Sequence, residues 1–161
     1  MHEPQLYTTL LDQLAEMPLF LRRTLAGLPR EVLLRQPAND RSPLLEHLWH
    51  TKDCDTDLYG LRLRRILRED RPPLEPVAVG DWREERGYDE RDGDQAIAEF
   101  ERERAELIDE LRALAPERLS RAGIRADGSE ITVLGVIRQL CEHDQDHRWR
   151  VTAILRGYAG L

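Results

Sequence analysis

Four stretches of helical periodicity limit what this chain can fold into: at about 1.5 Å of rise per residue, each is long enough to cross a small domain. The first runs from about Gln5 to Ala26, where Leu6, Leu10, Leu14, Met17 and Leu21 recur at steps of three and four and mark one apolar face. Pro18 is expected to kink or divide it, since proline removes one helical hydrogen bond. Gly27 and Pro29 stop it, leaving room for one short turn over 30–36. The second opens after Ser42-Pro43, read as an N-cap followed by proline at the first helical position, and continues to about Arg68. The third spans about Gln95 to Leu114, with Ile97, Phe100, Ala105, Leu107, Ile108 and Leu111 as its face, and ends at Pro116. The fourth begins near Thr132 and runs to Arg156, with Gly157 as its stop.

The connections are unequal. Asp70 to Asp94 is punctuated by Pro72, Pro73, Pro76, Gly80, Gly87 and Gly93, which rule out one regular element and predict a long loop. A stretch of that size inside a compact domain either works as a lid or packs as a structured excursion. The second connection, Pro116 to Glu130, carries Gly123 and the turn Asp127-Gly128, and Ile131 ends a short extended piece. Few strand candidates, four long helices and one long crossover between the second and third predict an all-α four-helix bundle. At 161 residues and 40% hydrophobic, the chain is expected to form a single domain over 1–161.

Composition removes several function classes. A net charge of −7 leaves no surplus of Lys and Arg to neutralise phosphates, so nucleic acid is not expected as a partner. Two cysteines, Cys54 and Cys141, make no disulfide framework in a chain of this size. No basic stretch followed by an apolar core opens the sequence, and no apolar run approaches the ~20 residues that span a bilayer. A reducing, cytoplasmic setting without membrane contact is the expectation.

The chemistry is concentrated in the histidines. Only five are present, and His143 and His147 lie four apart in the fourth helix, one above the other on one face. They continue a stripe of Val136, Leu140 and Ile154, so they extend an apolar face. Two imidazoles buried side by side are costly unless something satisfies their nitrogens, and a metal ion does so. A third ligand must come from elsewhere. The second helix offers His47, His50 and Cys54, and helical-wheel geometry favours His47, which lies nearer the edge of the apolar arc.

The stretch Ser42-Pro43-Leu44-Leu45-Glu46-His47-Leu48-Trp49-His50-Thr51-Lys52-Asp53, together with His143-Asp144-Gln145-Asp146-His147-Arg148-Trp149-Arg150-Val151, resembles the DinB/YfiT-like superfamily. Members share a helix-two pattern Glu-x-x-x-His-x-x-Asp and a helix-four His-x-x-x-His, often followed by x-x-Gln-Ile. Carried over position by position, the resemblance implies His50 as the helix-two ligand, between Glu46 and Asp53, and His143 and His147 as the helix-four ligands. The chain departs from the pattern at Thr51, where an aliphatic residue is usual, and at Arg150, which stands in the Gln position. Arg150 either binds an anion at the cavity or pairs with Asp146 on the surface, the second being the plainer reading.

Three neutral imidazoles around one point form an open divalent site, suited to zinc with water in the fourth position or to nickel. Such a metal lowers the pKa of bound water or holds a thiol as thiolate. The resemblance implies both uses: some relatives are thiol S-transferases or isomerases working with a low-molecular-weight thiol, and others are described as metal-dependent hydrolases. The expected activity is transfer of such a thiol to a small electrophile, with hydrolysis or a non-catalytic metal-binding stress role as alternatives. The family habit also implies a homodimer. Glu46, Asp53, Asp144 and Asp146 are candidates to orient the ligating rings. Cys54 is expected as a small buried core residue, with a fourth-ligand role as the alternative, and Cys141 as core.

Overall fold

The computed structural model describes residues 3–159. Its long helices are α1 (Glu3–Leu25), a second helix built from α3 (Leu44–Cys54) and α4 (Leu61–Arg68), then α6 (Gly93–Arg112) and α7 (Val133–Ala159). Short helices α2 (Arg30–Leu33) and α5 (Trp82–Glu85) occupy the connections. The expected four-helix bundle with its crossover between the second and third long helices is what forms.

Several expectations are corrected in detail. Pro18 lies inside an unbroken α1 and does not divide it. Proline has no N–H to offer the carbonyl four residues back, and that carbonyl, on Leu14, instead accepts a hydrogen bond from Arg104 Nη1 at 2.7 Å. Ser42 does not cap the second helix. Pro43 holds the N-cap position, its carbonyl takes the Glu46 and His47 amides, and helix starts at Leu44. Thr132 acts as the start signal for α7, its Oγ1 accepting from the Gly135 amide at 3.0 Å. At the other end Gly157 does not stop α7, which continues to Ala159.

Between α3 and α4 the backbone runs as a π-helical segment, Asp55–Gly60. Such bulges add a residue to the turn and rotate the next stretch of helix, and they gather at functional sites. Glycine closes the segment because a Cβ at position 60 would sit 2.4 Å from the Asp55 carbonyl oxygen.

The Asp70–Asp94 crossover is a structured excursion. It contains β1 (Pro73–Leu74), a 3₁₀ turn at Val79–Asp81, α5 and a second 3₁₀ turn at Tyr88–Glu90. Trp82 and Tyr88 anchor it in the core. Tyr88 donates to Asp53 Oδ2 at 2.8 Å and Arg86 Nη1 reaches the same oxygen at 2.7 Å, pinning the excursion to α3. Gly87 takes φ +59, a left-handed turn that glycine adopts without strain. The second connection supplies β2 (Ala122–Arg125) and β3 (Glu130–Thr132). β2 pairs antiparallel with β3, Gly123 opposite Ile131, and parallel with β1, Pro73 opposite Ile124, giving a small three-stranded sheet in order β1-β2-β3.

The core has two parts. One gathers Met17, Leu21, Leu45, Leu48, Trp49, Phe100, Val151 and Ile154. The other gathers Leu10, Leu14, Leu63, Ile66, Leu107, Leu111, Val136 and Leu140. Between these groups α3, α6 and α7 turn polar or histidine side chains inward, and that layer holds the site.

Candidate metal centre

The α3 helix presents His47, His50 and Cys54, and α7 presents His143 and His147. The packing of α3 against α7 brings all five side chains together. His50 Nε2 lies 3.5 Å from His143 Nε2 and 3.4 Å from Cys54 Sγ. Donor atoms of His50, Cys54 and His143 all fall within 4.8 Å of one another, a group that could hold a metal ion. The His147 ring centroid is 4.4 Å from that of His143 and 5.1 Å from that of His50. Its Nδ1, however, is engaged by His47 Nδ1 at 2.8 Å, the two rings meeting edge to face.

These spacings suit a cation. Tetrahedral nitrogen and sulfur ligands at about 2.0–2.3 Å from a zinc ion stand about 3.3–3.6 Å apart, and the two contacts of His50 match that. Two neutral Nε2 atoms facing each other can share at most one proton between them, whereas a metal satisfies both lone pairs. His143 Nδ1 is also buried without a hydrogen-bond partner among the described residues. The donor set therefore fits a divalent transition metal.

Burial sets the protonation of the cluster. It disfavours the charged imidazolium and pulls His47 down to about 4 and His143 to about 3, with His50 and His147 also lowered. The rings crowd one another, and Arg150 adds a further push in the same direction on each. Burial thus favours the neutral form of all four rings at pH 7. Burial acts in the opposite sense on the Cys54 thiol and raises its pKa, so Cys54 is a poor thiolate unless a cation stabilises it. Cys54 is thus both the buried residue expected and a member of the group that could hold a metal ion. Cys141 is core, its Sγ resting 3.5 Å from the Leu10 carbonyl.

The four carboxylates expected behind the ligands are all engaged by basic groups. Glu46 receives Arg83 Nη1 at 3.2 Å and Asp53 receives Arg86, Tyr88 and Lys52. Asp146 pairs with Arg150 at 2.9 Å, the plainer of the two roles expected for that arginine. Asp144 belongs to a separate cluster that periodicity missed. Arg104, 1% exposed, donates from Nε and Nη2 to Asp55, from Nη1 and Nη2 to Asp144, and from Nη1 to the Leu14 carbonyl. Ala105, expected on the buried face of α6, is exposed, and Arg104 takes that place. The signal was present: 100, 104, 107, 108 and 111 form an unbroken helical stripe. Asp40 was also missed. Its Oδ1 lies 3.7 Å from His47 Nε2, and nothing in its loop sequence marks it.

Beside the histidines opens a cavity of about 950 Å³. His47, His50 and His147 form part of its lining, Arg41 and Arg150 lie along it, and the crossover supplies Asp81, Arg83, Glu84 and Asp89. No helix among the described residues is long and apolar enough to cross a membrane.

Comparison with known proteins agrees with this architecture. A solved structure of YfiT from Bacillus subtilis, described as a probable metal-dependent hydrolase with an unusual four-helix bundle topology, superposes with a TM-score of 0.88 at 19% sequence identity. The match covers 99% of this chain and 90% of that one, and at this identity it speaks to the fold. No curated protein sequence matches. The family model of the DinB superfamily matches residues 13–151, from the middle of α1 through both histidines of α7. With the bundle and the histidine layer already in place, a match over that span makes the chain a member of the DinB superfamily.

Proposed function

We propose that the chain binds one divalent transition metal, zinc or nickel, through His50, His143 and His147, and uses it to transfer a low-molecular-weight thiol to a small electrophile. The observation that carries this reading is the opposed pair of neutral Nε2 atoms on His50 and His143, beside a cavity of about 950 Å³. Ligand pockets span roughly 300–1,000 Å³, so the cavity has room for a peptide-like thiol and a second reactant, which a purely structural metal would not need. His147 contributes Nε2, the nitrogen that His47 leaves free.

When bound, the metal supplies a Lewis acid that favours the deprotonated form of a thiol or water. The chain's own groups do the remaining work. His50 and His147 line the cavity, so a metal held by them would be within reach of reactants bound there. The buried α3 and α7 faces behind the rings keep bulk water out, and Arg41 offers a cation at the cavity wall. In the transfer, a carbon–sulfur bond forms as the bond to the electrophile's leaving group breaks, and the thiol proton departs to solvent. Hydrolysis is the second reading, favoured by the description of YfiT. The same site would then activate water.

Metal content by plasma mass spectrometry tests the site, with untagged wild type beside His50→Ala, His147→Ala and Cys54→Ala. One equivalent in wild type and Cys54→Ala, lost in both histidine variants, is the expected result. Retention in His147→Ala with loss in Cys54→Ala would replace His147 by Cys54. Metal-loaded protein is then assayed with a panel of low-molecular-weight thiols and an electrophilic arene. Turnover of ester or amide substrates without thiol transfer would favour hydrolysis.

A further inference from the structure

His47 is the one histidine of the cluster that the proposed centre leaves unused, although it is 2% exposed and its Nδ1 lies 2.8 Å from His147 Nδ1. A contact that short between two neutral imidazole nitrogens requires one proton, carried by one ring or the other. The far side of His47 decides which. Its Nε2 faces Asp40 Oδ1 at 3.7 Å and has no hydrogen-bond partner among the described residues. Asp40 is itself fixed in place: its Oδ1 accepts from the Ser42 amide at 2.9 Å, and its Oδ2 lies 3.7 Å from Arg150 Nη1.

Consider the two placements of the proton. If His47 carries it on Nδ1, its bare Nε2 points at a carboxylate, acceptor against acceptor, and His147 must hold its own proton on Nε2. If His47 carries its proton on Nε2, the N–H points at Asp40, its bare Nδ1 accepts from His147 Nδ1–H, and His147 Nε2 is left with a free lone pair. Electrostatics favours the second arrangement at both ends.

We infer that His47 is a positioning residue which, backed by Asp40, holds His147 as its Nδ1–H tautomer and so leaves Nε2 as the ligating nitrogen. The inference rests on the metal reading for its purpose, but the tautomer it assigns exists in the metal-free protein. The His47–His147 bond also fixes the angle of the His147 ring, so the ligand is oriented before metal arrives. Partners behind ligating histidines typically contribute 10–100-fold to metal affinity.

The test uses the full chain stripped of metal at pH 7.5, comparing wild type with His47→Phe, His47→Asn and Asp40→Asn. Long-range proton–nitrogen correlation spectra read the His147 tautomer directly. Wild type is expected to show Nδ1 protonated and Nε2 bare. Phe at position 47 removes the acceptor and should release His147 to the other tautomer, while Asn, whose Oδ1 stands near the place of Nδ1, should preserve it. Zinc affinity by chelator competition should fall about 10–100-fold in His47→Phe with one equivalent still bound, and recover in His47→Asn. Asp40→Asn should give a smaller loss and a mixture of tautomers. If His47→Phe fails to fold by circular dichroism, the Asn and Asp40 variants decide.

A wild-type His147 protonated on Nε2 overturns the inference, as does unchanged zinc affinity without the His47 ring. X-ray absorption showing one nitrogen fewer around zinc in His47→Phe also overturns it, by making His47 a ligand. Failure of wild type to bind zinc sinks the metal reading instead, and leaves the tautomer to be judged from the spectra.

Discussion

Two buried polar clusters meet at α7, the histidines between α3 and α7 and the Arg104 group joining α1, the π-helical segment, α6 and α7, and they are built on opposite principles. Around Arg104 every donor nitrogen has an acceptor: the guanidinium meets two carboxylates and one carbonyl, all buried. Around His50 and His143 the polar groups are only partly satisfied: the two Nε2 atoms meet each other at a long 3.5 Å, and His143 Nδ1 and His47 Nε2 lack partners among the described residues. A closed network fixes geometry and asks for nothing further. An open one of neutral nitrogens, beside a cavity, is incomplete until a ligand joins it. The difference marks Arg104 as the clamp and the histidines as the candidate site. It also shows how one supports the other, since Asp144 stands between His143 and His147 on α7.

The contrast breaks most directly at the clamp. Arg104→Met leaves Asp55 and Asp144 buried without their cation, and removing one partner of such a network typically costs about 3–5 kcal/mol. Urea unfolding of the metal-free protein should show a loss of that order. Replacing all three groups with apolar residues should recover most of it, because the charges left behind carry the penalty. The Leu14 carbonyl, freed by Pro18, would still lack a donor, so recovery should be incomplete. A loss below about 1 kcal/mol in Arg104→Met would mean that water reaches the cluster, and the contrast would fall.

At the open cluster the expected behaviour is reversed. His50→Ala should change metal-free stability by no more than about 1 kcal/mol, since it removes a poorly satisfied polar group, while His147→Ala, which also breaks the buried bond to His47, should cost somewhat more but less than Arg104→Met. Both should instead abolish stabilisation by metal, which for wild type is about 2.7 kcal/mol at a free concentration of about 100 times Kd. Thermal unfolding with and without zinc separates the two. A histidine variant that destabilises the metal-free protein as severely as Arg104→Met would place both clusters in the same structural class.

Sequence periodicity made the bundle and the His143–His147 pair legible because both repeat with the helix. What escaped it depends on partners distant in the chain. Arg104 reads as a surface cation until Asp55 and Asp144 are known to face it, and Pro18 reads as a break until Leu14's carbonyl has another donor. Asp40 lies in a loop without period. The wheel favoured His47 over His50 because His47 is the more buried. Burial marks the residues that pack against α7, not the nitrogen that faces the other donors. Proline and glycine spacing showed where the crossover could not be one element but held no sign of the Tyr88–Asp53 bond that pins it.

Acid should separate the clusters further. Burial lowers His47 from the ordinary value near 6.5 to about 4, and His143 to about 3, so the folded state refuses protons that the unfolded chain accepts. Stability is therefore full above about 6.5 and falls as pH drops through that value, by up to about 1.4 kcal/mol per pH unit for each such histidine. The loss from His47 ends near 4 and that from His143 near 3. Urea midpoints of metal-free protein between about pH 8 and 5 measure the slope. His47→Asn with His143→Asn should make it shallower, the remainder coming from His50 and His147, which burial also lowers; a slope unchanged in the double variant would assign the acid sensitivity to other groups.

The smallest expected effect belongs to Arg150, one of the two departures from the family pattern. Its bond to Asp146 is a partly exposed helix pair, worth no more than about 0.5 kcal/mol, so Arg150→Gln should scarcely move stability. Its charge nevertheless opposes positive charge on all four histidines. It should therefore oppose a bound cation as well. Removing it is expected to tighten zinc binding a few-fold, since two charges in a water-like medium interact by about 1 kcal/mol. The gain should shrink in high salt. Weaker zinc binding in Arg150→Gln would mean instead that its hold on Asp40 matters more than its charge. Arg150 would then belong with His47 among the groups that orient His147, and the open cluster would extend one layer further toward the surface.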